Sequence, residues 1–312
     1  MSDPDLIARI LAVLHRWYPG DTFAVTPASG GVSTPVFRLE AHGQTHFIRL
    51  GEDPGDRRIG EITAHRHLRA LGLPVPCVLN YEDDPPELDR SIALTSRIPG
   101  VPLLELSGAA STEDIGALAG ETLASINSIP VRGYGWVTGV MDDGTLLAEH
   151  PDRAAWAAGY VHAADRIVAA GIFSSDLAAQ LRSAIETWAH LPETAPAALA
   201  HGDFDSTHIY VDPETGKFTG IIDFGEIRGA DRLYDLGHLL LHDGEAGRPR
   251  IWPHVLAGYS RVNPLPDDVI GRVRLQALAI GTRALEIQIA RPVSRYREWL
   301  ASRLRDLLVD HE

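Results

Sequence analysis

The fold is decided by the stretch LAHGDFDSTHIYVDPETGKFTGIIDFGEIRGADRLYDL, residues 199–236. Two short apolar runs in it, HIYVD and FTGIIDF, flank a Pro-Glu-Thr-Gly turn and predict a β-hairpin. Four polar side chains that could take part in catalysis lie on loops or strand ends beside this hairpin: His201, Asp203, His208 and Asp223. Such spacing suits phosphoryl transfer, in which one carboxylate positions an attacking hydroxyl group and a second anchors Mg²⁺ against the phosphates. We expect Asp203 to take the first role and Asp223 the second.

Three motifs in this stretch have counterparts in a known family. They are the His-Gly-Asp loop at residues 201–203, the acid Asp223 after an apolar strand, and the segment 229–236, which contains Asp-x-x-Tyr-Asp-Leu. Together they resemble the aminoglycoside phosphotransferase family, small-molecule kinases that share the bilobal fold of protein kinases. The family's version of the last motif, Gly-Asp-x-x-Tyr-Asp-Leu, is one residue shorter.

The resemblance implies a role for each matching residue. Asp203 is the catalytic base or hydroxyl-orienting carboxylate, and His201 accompanies it as a catalytic-loop residue. Asp223 is a Mg²⁺ ligand. Asp235 is a structural acid that stabilises the loop.

One position departs from the family pattern. Five residues after Asp203 the family has a metal-binding Asn, whereas this chain has His208. Imidazole is a less usual Mg²⁺ ligand than an amide oxygen. Two interpretations are open: His208 helps Asp223 to hold the metal, or it is a hydrogen-bonded loop histidine. Macrolide kinases of the same superfamily are similar in carrying His here.

The strand THFIRLGE, residues 45–52, supplies a cation. The resemblance implies that Arg49 is the phosphate-contacting residue of the nucleotide site and that Glu61, on the following helix, is its acidic partner. A guanidinium group suits this role, because its planar fork matches phosphate oxygens.

Two further segments are candidates for nucleotide binding. Gly30, Gly31, Ser33 and Thr34 lie between the first two strands, where adjacent glycines permit close backbone approach and the hydroxyl groups can donate to phosphates. The resemblance places the adenine at the lobe connection, near Ser96 and Ile98. Backbone recognition there favours ATP by family analogy and leaves GTP as the alternative nucleotide.

Three acids are candidates for contacting the acceptor. Asp205 lies two residues beyond Asp203, Asp243 follows a predicted helix, and Glu286 lies on a late helix. By analogy with acidic pockets for aminocyclitols they would line an acceptor pocket. The alternative for each is a solvated acid.

The pattern along the rest of the chain predicts a two-lobed α+β, kinase-like fold. A helix over 5–17, strands near 22–28, 34–41 and 45–52, a helix over 60–71 and two more strands make a small lobe, residues 1–99. Long Ala/Leu-rich stretches then predict a larger, mainly helical lobe, residues 100–312. The first lobe would bind nucleotide, and the second would hold the catalytic residues and the acceptor.

Composition excludes several classes of protein. The 312 residues are 45% hydrophobic and carry a formal net charge of -14, which disfavours nucleic acid and anionic membranes as partners and favours a cationic or hydroxylated small molecule. The N-terminus carries acids where a signal peptide needs basic residues, and Cys77 is the only cysteine, so we expect a cytoplasmic protein. The sequence does not predict an oligomeric state.

These observations predict an ATP- and Mg²⁺-dependent phosphotransferase acting on a hydroxyl group of an aminoglycoside or related antibiotic. The alternatives are a kinase of a macrolide, a peptide antibiotic or a metabolite sugar, and a catalytically silent nucleotide-binding regulatory protein.

Overall fold

A computed structural model describes residues 4–28, 35–106, 112–193 and 195–309 of the chain. Its first part is built on five strands: β1 (Ala24–Pro27), β2 (Val36–Ala41), β3 (Gln44–Leu50), β4 (Val78–Glu82) and β5 (Ile92–Ser96). They form one antiparallel sheet in the order β1-β2-β3-β5-β4.

This sheet buries one face against the first helix, α1 (Pro4–Trp17). The helix presents Ile10 and, one turn later, Val13 and Leu14, and all three are fully buried. Alternate residues of the sheet meet them, because successive strand side chains point to opposite faces. This core contains Phe37, Leu39, Ile48, Leu50, Ile92 and Leu94.

A second helix, α2 (Ile59–Ala70), connects the sheet to the rest of the molecule. Its Ala64 and Leu68 are fully buried in a core that also contains Phe224 and Val211 from the second part of the chain. The position of α2 is therefore fixed from both sides, and its buried Glu61 is held at the boundary between the two parts.

The second part is mainly helical. Its helices are α3 (Thr112–Ile126), α4 (Arg153–Ala169), α5 (Ser175–Ala189), α6 (Tyr234–His242), α7 (Trp252–Val262), α8 (Val269–Ile289) and α9 (Arg295–Val309). Short 3₁₀ helices lie at Leu103–Glu105, Phe224–Glu226 and Glu245–Gly247. Among the described residues, no helix has the length and apolar character needed to cross a membrane.

Short strands run between these helices: β6 (Val101–Pro102), β7 (Val131–Arg132), β8 (Tyr134–Val140), β9 (Leu146–His150), β10 (Ala198–Ala200), β11 (Ile209–Val211), β12 (Phe218–Ile221) and β13 (Arg228–Ala230). One sheet has the order β12-β11-β6 and contains the predicted hairpin. The other has the order β10-β13-β8-β9-β7. Because β6 pairs with β11, the chain has already joined the second part by Val101.

Two glycines allow α3 and α7 to pack backbone against backbone. A Cβ atom on Gly120 would lie 2.1 Å from the carbonyl oxygen of Val255, and one on Gly258 would lie 1.9 Å from that of Ala117. These separations are far below van der Waals contact, so only glycine fits at the crossing.

The structure agrees with most elements predicted from the sequence and adds one feature. The helix expected over 5–17 and the strands expected before residue 97 are present within a few residues. The strands of segment 131–150 were not predicted. They are short, interrupted by glycine, and paired with the distant strand β13.

Candidate active site

A cleft of about 1090 Å³ lies between the first sheet and the loop of residues 201–208, which we call the catalytic loop. Strands β2, β3 and β5 line one end of the cleft, and α6 with the start of α9 lines the other. Asp203, His208 and Asp223 lie on its wall. The cleft therefore contains both carboxylates that the sequence marks for phosphoryl transfer.

The backbone of the catalytic loop is held by Asp235 at the start of α6. Its carboxylate is fully buried and accepts hydrogen bonds from the backbone N–H groups of His201 and Gly202, each at 2.8 Å. The side-chain amide of Asn127 donates to the same carboxylate at 2.8 Å and to the carbonyl oxygen of Leu199 at 2.9 Å. A buried charge with three donors is well satisfied, so this contact fixes the loop relative to α3 and α6.

Gly202 is required by the path of the loop. Its φ angle is 90°, and a Cβ atom there would lie 1.8 Å from the carbonyl oxygen of Glu226. Backbone in the left-handed region at such close approach favours glycine over any other residue. The glycine of the His-Gly-Asp motif thus follows from the geometry of the turn.

His201 connects the two carboxylate-bearing segments. Its Nε2–H donates to the carbonyl oxygen of Ile222 at 2.8 Å, and its Nδ1 accepts from the backbone N–H of Asp203 at 3.3 Å. Burial and the neighbouring His208 lower the pKa of His201, which keeps the ring neutral as these two partners require. The ring is fully buried and does not line the cleft, so His201 supports Asp203 rather than touching a substrate.

Asp203 presents its carboxylate to the cleft with a 41% exposed side chain. One oxygen, Oδ1, lies 3.2 Å from His238 Nε2. The other, Oδ2, lies 3.9 Å from His208 Nδ1. A partly exposed carboxylate on a loop fixed by Asp235 can accept a hydrogen bond from a hydroxyl group in the cleft.

Asp223 has different partners. Its Oδ1 accepts from Arg49 Nη1 at 3.0 Å, and its backbone is left-handed, with a φ angle of 65°. Burial opposes ionisation of Asp223, but the charges of Arg49 and His208 outweigh it and lower the pKa to about 2. Asp223 is therefore ionised at neutral pH and ready to hold a cation.

Arg49 also contacts Glu61, with Nε and Oε1 3.1 Å apart, so the ion pair expected from the sequence is present. Glu61 has a second cationic partner, Arg58, at 2.7 Å. Burial opposes the charge of Arg49, yet Glu61 and Asp223 together raise its pKa. This arginine thus links α2, β3 and the segment after β12 across the cleft.

His208 lies between the two carboxylates, 3.9 Å from Asp203 Oδ2 and 3.8 Å from Asp223 Oδ2. Its Nδ1 donates to the carbonyl oxygen of Asp203 at 2.6 Å, and its Nε2 lies 3.8 Å from Asp223 Oδ2. Nδ1 is thus used in a loop hydrogen bond, as one interpretation expects, while Nε2 faces Asp223, and metal binding by His208 stays a prediction. Within the described ranges, no group of three or more His, Cys, Asp or Glu side chains could hold a metal ion by itself.

The sheet end of the cleft is rich in cationic side chains. Arg38 and Arg97 line it together with Arg49. Ser96 and Ile98 line it as well, at the connection where the sequence places the adenine. Gly30, Gly31, Ser33 and Thr34 lie outside the described residues.

The α6 end contains an acid whose charge is already compensated. Asp205 is buried and accepts from Thr207 and from the guanidinium group of Arg248. Burial opposes its ionisation, but His208 and Arg248 hold the pKa of Asp205 well below its ordinary value. Glu245 lies 3.5 Å from Arg248 and accepts from His242 at 2.9 Å.

Two sequence candidates lie away from the cleft. Asp243 accepts hydrogen bonds from the backbone N–H groups of Ile251 and Trp252, which places it at the start of α7. Glu286 pairs with Arg166 at 2.8 Å and with Arg283. Both carboxylates are thus used within the protein, and neither is among the cleft residues.

Sequence reasoning missed two residues of the site, His238 and Arg248. His238 lies three residues after Asp235 on α6, and residues with this spacing share a helix face. That spacing was a usable signal. Arg248 had none, because it reaches the loop from a long turn after α6.

The chain belongs to the phosphotransferase enzyme family (APH), whose model matches residues 24–275. It is thereby a phosphotransferase of the protein-kinase-like superfamily, with the bilobal α+β fold predicted from its motifs. No match was found among curated protein sequences.

Solved structures with the same fold include aminoglycoside phosphotransferases. APH(4)-Ia is 18% identical, with a TM-score of 0.69 over 97% of this chain and 98% of that one. A putative aminoglycoside phosphotransferase from Ralstonia eutropha JMP134 is 15% identical, with a TM-score of 0.66 over 97% of this chain and 95% of that one. The complex of APH(2")-IIia with GDP and kanamycin is 15% identical, with a TM-score of 0.63 over 96% of each chain. At these identities the similarity establishes the fold.

Proposed function

We propose that this protein transfers the γ-phosphoryl group of ATP to a hydroxyl group of an aminoglycoside or related hydroxylated antibiotic. The observation that carries the proposal is the pair of carboxylates in one cleft with different partners. Asp203 faces the cleft beside two histidines, whereas Asp223 is bound to a guanidinium group. Phosphoryl transfer needs these two environments, one for the hydroxyl group and one for the charge on the phosphates.

The sheet end of the cleft suits a nucleoside triphosphate. Three arginines, Arg38, Arg49 and Arg97, supply positive charge, and the connection at residues 96–98 supplies backbone groups for a base. Related structures were solved with ADP and with GDP. These features support residues 1–99 as the nucleotide-binding lobe, with ATP as the donor and GTP as the alternative.

The donor chemistry fits Mg²⁺. This ion is usually bound by one or two carboxylates together with substrate phosphates, and Asp223 offers an ionised carboxylate at the edge of the cation-rich end. Asp223 would hold the ion, and His208 Nε2 stands beside it. When bound, Mg²⁺ neutralises charge that develops on the phosphates.

The residues of this chain would handle the proton. Asp203 accepts the hydrogen bond of the acceptor hydroxyl group and takes its proton as the new O–P bond forms. His201 and Asp235 hold the backbone of Asp203 in place, so the carboxylate does not need to reorganise. Asp203 then returns the proton to solvent after the products leave.

The class of acceptor rests on charge and on relatives. The net charge of -14 favours cationic acceptors, and related structures hold hygromycin B or kanamycin. A neutral acceptor, such as a macrolide, peptide antibiotic or sugar, is the second candidate. It is favoured by Arg248, which compensates the charge of Asp205 at the acceptor end. In either case we propose a cytoplasmic enzyme, and for an antibiotic acceptor we propose that it serves antibiotic resistance.

The test is ADP release with MgATP, then MgGTP, across aminoglycosides, macrolides, cyclic-peptide antibiotics and sugars. We expect one class to stimulate the wild-type protein and Asp203→Asn to abolish the stimulation while nucleotide binding survives. Glu214→Gln, on the exposed hairpin turn, is the matched loss of one carboxylate and should behave as wild type. Full activity of Asp203→Asn would refute the assignment. Nucleotide binding without any turnover would favour the silent regulatory protein.

A further inference from the structure

Helix α6 contacts the catalytic loop through two side chains on one face. Asp235 and His238 are three residues apart, the spacing at which helix side chains are neighbours. Asp235 binds the backbone at residues 201 and 202. His238 reaches the next residue, Asp203, and contacts its carboxylate rather than its backbone. The family motif that contains Asp235 ends before His238 and assigns it no role.

Both nitrogen atoms of the His238 ring face an oxygen atom of the catalytic loop. Nε2 lies 3.2 Å from Asp203 Oδ1, Nδ1 lies 3.2 Å from the carbonyl oxygen of Phe204, and the side chain is only 9% exposed. The ring also packs against His242, with centroids 4.6 Å apart. It cannot turn away without losing these contacts.

The two partners determine what the ring donates. An imidazole that faces two oxygen atoms donates to both only as the cation, and as a neutral ring it donates to one. A carboxylate is a stronger acceptor than a backbone carbonyl group. The neutral tautomer with its hydrogen on Nε2 would therefore donate to Asp203 Oδ1, 3.2 Å away, and only the cation would donate to Phe204 as well. Burial, reinforced by His242, lowers the pKa of His238 to about 4 and favours the neutral ring.

We propose that His238 is a positioning residue for Asp203, an inference that rests on the proposed phosphotransferase function. By occupying Oδ1, it fixes the rotation of the carboxylate and leaves Oδ2 as the oxygen that accepts the hydrogen bond and proton of the acceptor. Without it the carboxylate rotates, and the reacting hydroxyl group loses its alignment with the phosphorus atom. The effect falls on turnover, because His238 lies at the far end of the cleft from the nucleotide-binding sheet.

Two substitutions distinguish the hydrogen-bonding role of His238 from its role in filling space. His238→Leu fills the space without a donor, whereas the side-chain amide nitrogen of His238→Gln can reach the position of Nε2 and donate. We would measure ADP release with MgATP and kanamycin, hygromycin B or water alone as the acceptor. For His238→Leu we expect kcat to fall about 100-fold while KM for ATP changes less than about twofold, since misalignment of the reacting groups acts on the chemical step. His238→Gln should recover at least about tenfold of that loss.

The matched control is Asn263→Leu, which removes another buried, hydrogen-bonded polar side chain of the same lobe away from the loop. It should keep the wild-type kcat even if its Tm falls. A wild-type kcat in His238→Leu, or a glutamine variant that is folded and as slow as the leucine variant, would overturn the proposal.

A second measurement does not depend on turnover. In ¹⁵N-histidine NMR spectra, Asp203→Asn should shift the Nε2 resonance of His238 and leave that of His65 unchanged. If the wild-type protein releases no ADP under any condition, the proposed function fails, and the NMR shift still decides whether His238 is bonded to Asp203. An unshifted His238 resonance overturns the inference even in an active enzyme.

Discussion

Replacing Asp235 by alanine tests how the catalytic loop is held. The substitution leaves two buried backbone N–H groups, of His201 and Gly202, without their acceptor and removes one of two acceptors from the Asn127 amide. An unsatisfied buried donor costs about 1–3 kcal/mol, so the expected loss of unfolding free energy is about 4 kcal/mol. With an unfolding entropy of about 2.1 cal/mol/K per residue, this lowers Tm by roughly 6 °C in a chain of this length.

Urea unfolding and ADP release on the same preparations provide the assay. Asp231→Ala is the control, because Asp231 accepts one backbone N–H group, that of Leu233, at a half-buried position. That loss should cost about 1 kcal/mol. We expect Asp235→Ala to lose turnover at temperatures where it is still folded, since the loop that carries Asp203 is released. If it matches Asp231→Ala in stability, or keeps the wild-type kcat, the carboxylate does not anchor the loop.

Three further predictions follow from contacts described above. Arg49→Lys should raise KM for ATP about tenfold in steady-state assays, because a single ammonium group cannot serve Glu61 and Asp223 with the geometry of the guanidinium fork; an unchanged KM would contradict this. Gly258→Ala should lower Tm with kcat retained at low temperature, since its Cβ atom would collide with α3; wild-type thermal stability would refute the close crossing. Burial lowers the pKa of His65 to about 4, so the unfolded chain takes up a proton between pH 6.5 and 4 that the native ring does not. Urea unfolding should therefore show about 3 kcal/mol less stability at pH 4 than at pH 7 from this group, a loss that His65→Leu should remove.

Much of the fold could be predicted from local sequence. Strands β2 and β3 alternate apolar and polar residues around a short turn, and α1 repeats its apolar residues at helical spacing. The hydrophobic periodicity of each segment therefore indicates its secondary structure. Segment 131–150 has no such clear periodicity. Its strands β8 and β9 have glycine-rich, irregular register, and their burial depends on β13, which lies about 80 residues further along the chain.

Some residues of the candidate site could likewise be predicted from the sequence, and others could not. Asp203, Asp223 and Asp235 could be found because they lie in contiguous motifs with fixed spacing. The buried role of His201 could not, because it follows from a hydrogen bond to Ile222 that only the folded hairpin creates. Asp243 and Glu286 were predicted to contact the acceptor because they are acids in plausible acceptor segments. In the folded protein, Asp243 instead accepts hydrogen bonds at the start of α7, and Glu286 pairs with two arginines.

Helix α6 has a consequence for selectivity. Its nine residues include Asp235, which anchors the loop, His238, which contacts the proposed base Asp203, and His242, which lines the proposed acceptor end of the cleft. Because these side chains lie on one short helix, an ill-fitting acceptor that displaced the pocket wall would also displace the proposed base. Discrimination between acceptors would then be expressed in the speed of transfer more than in the tightness of binding, and wrong compounds would be held but left unmodified.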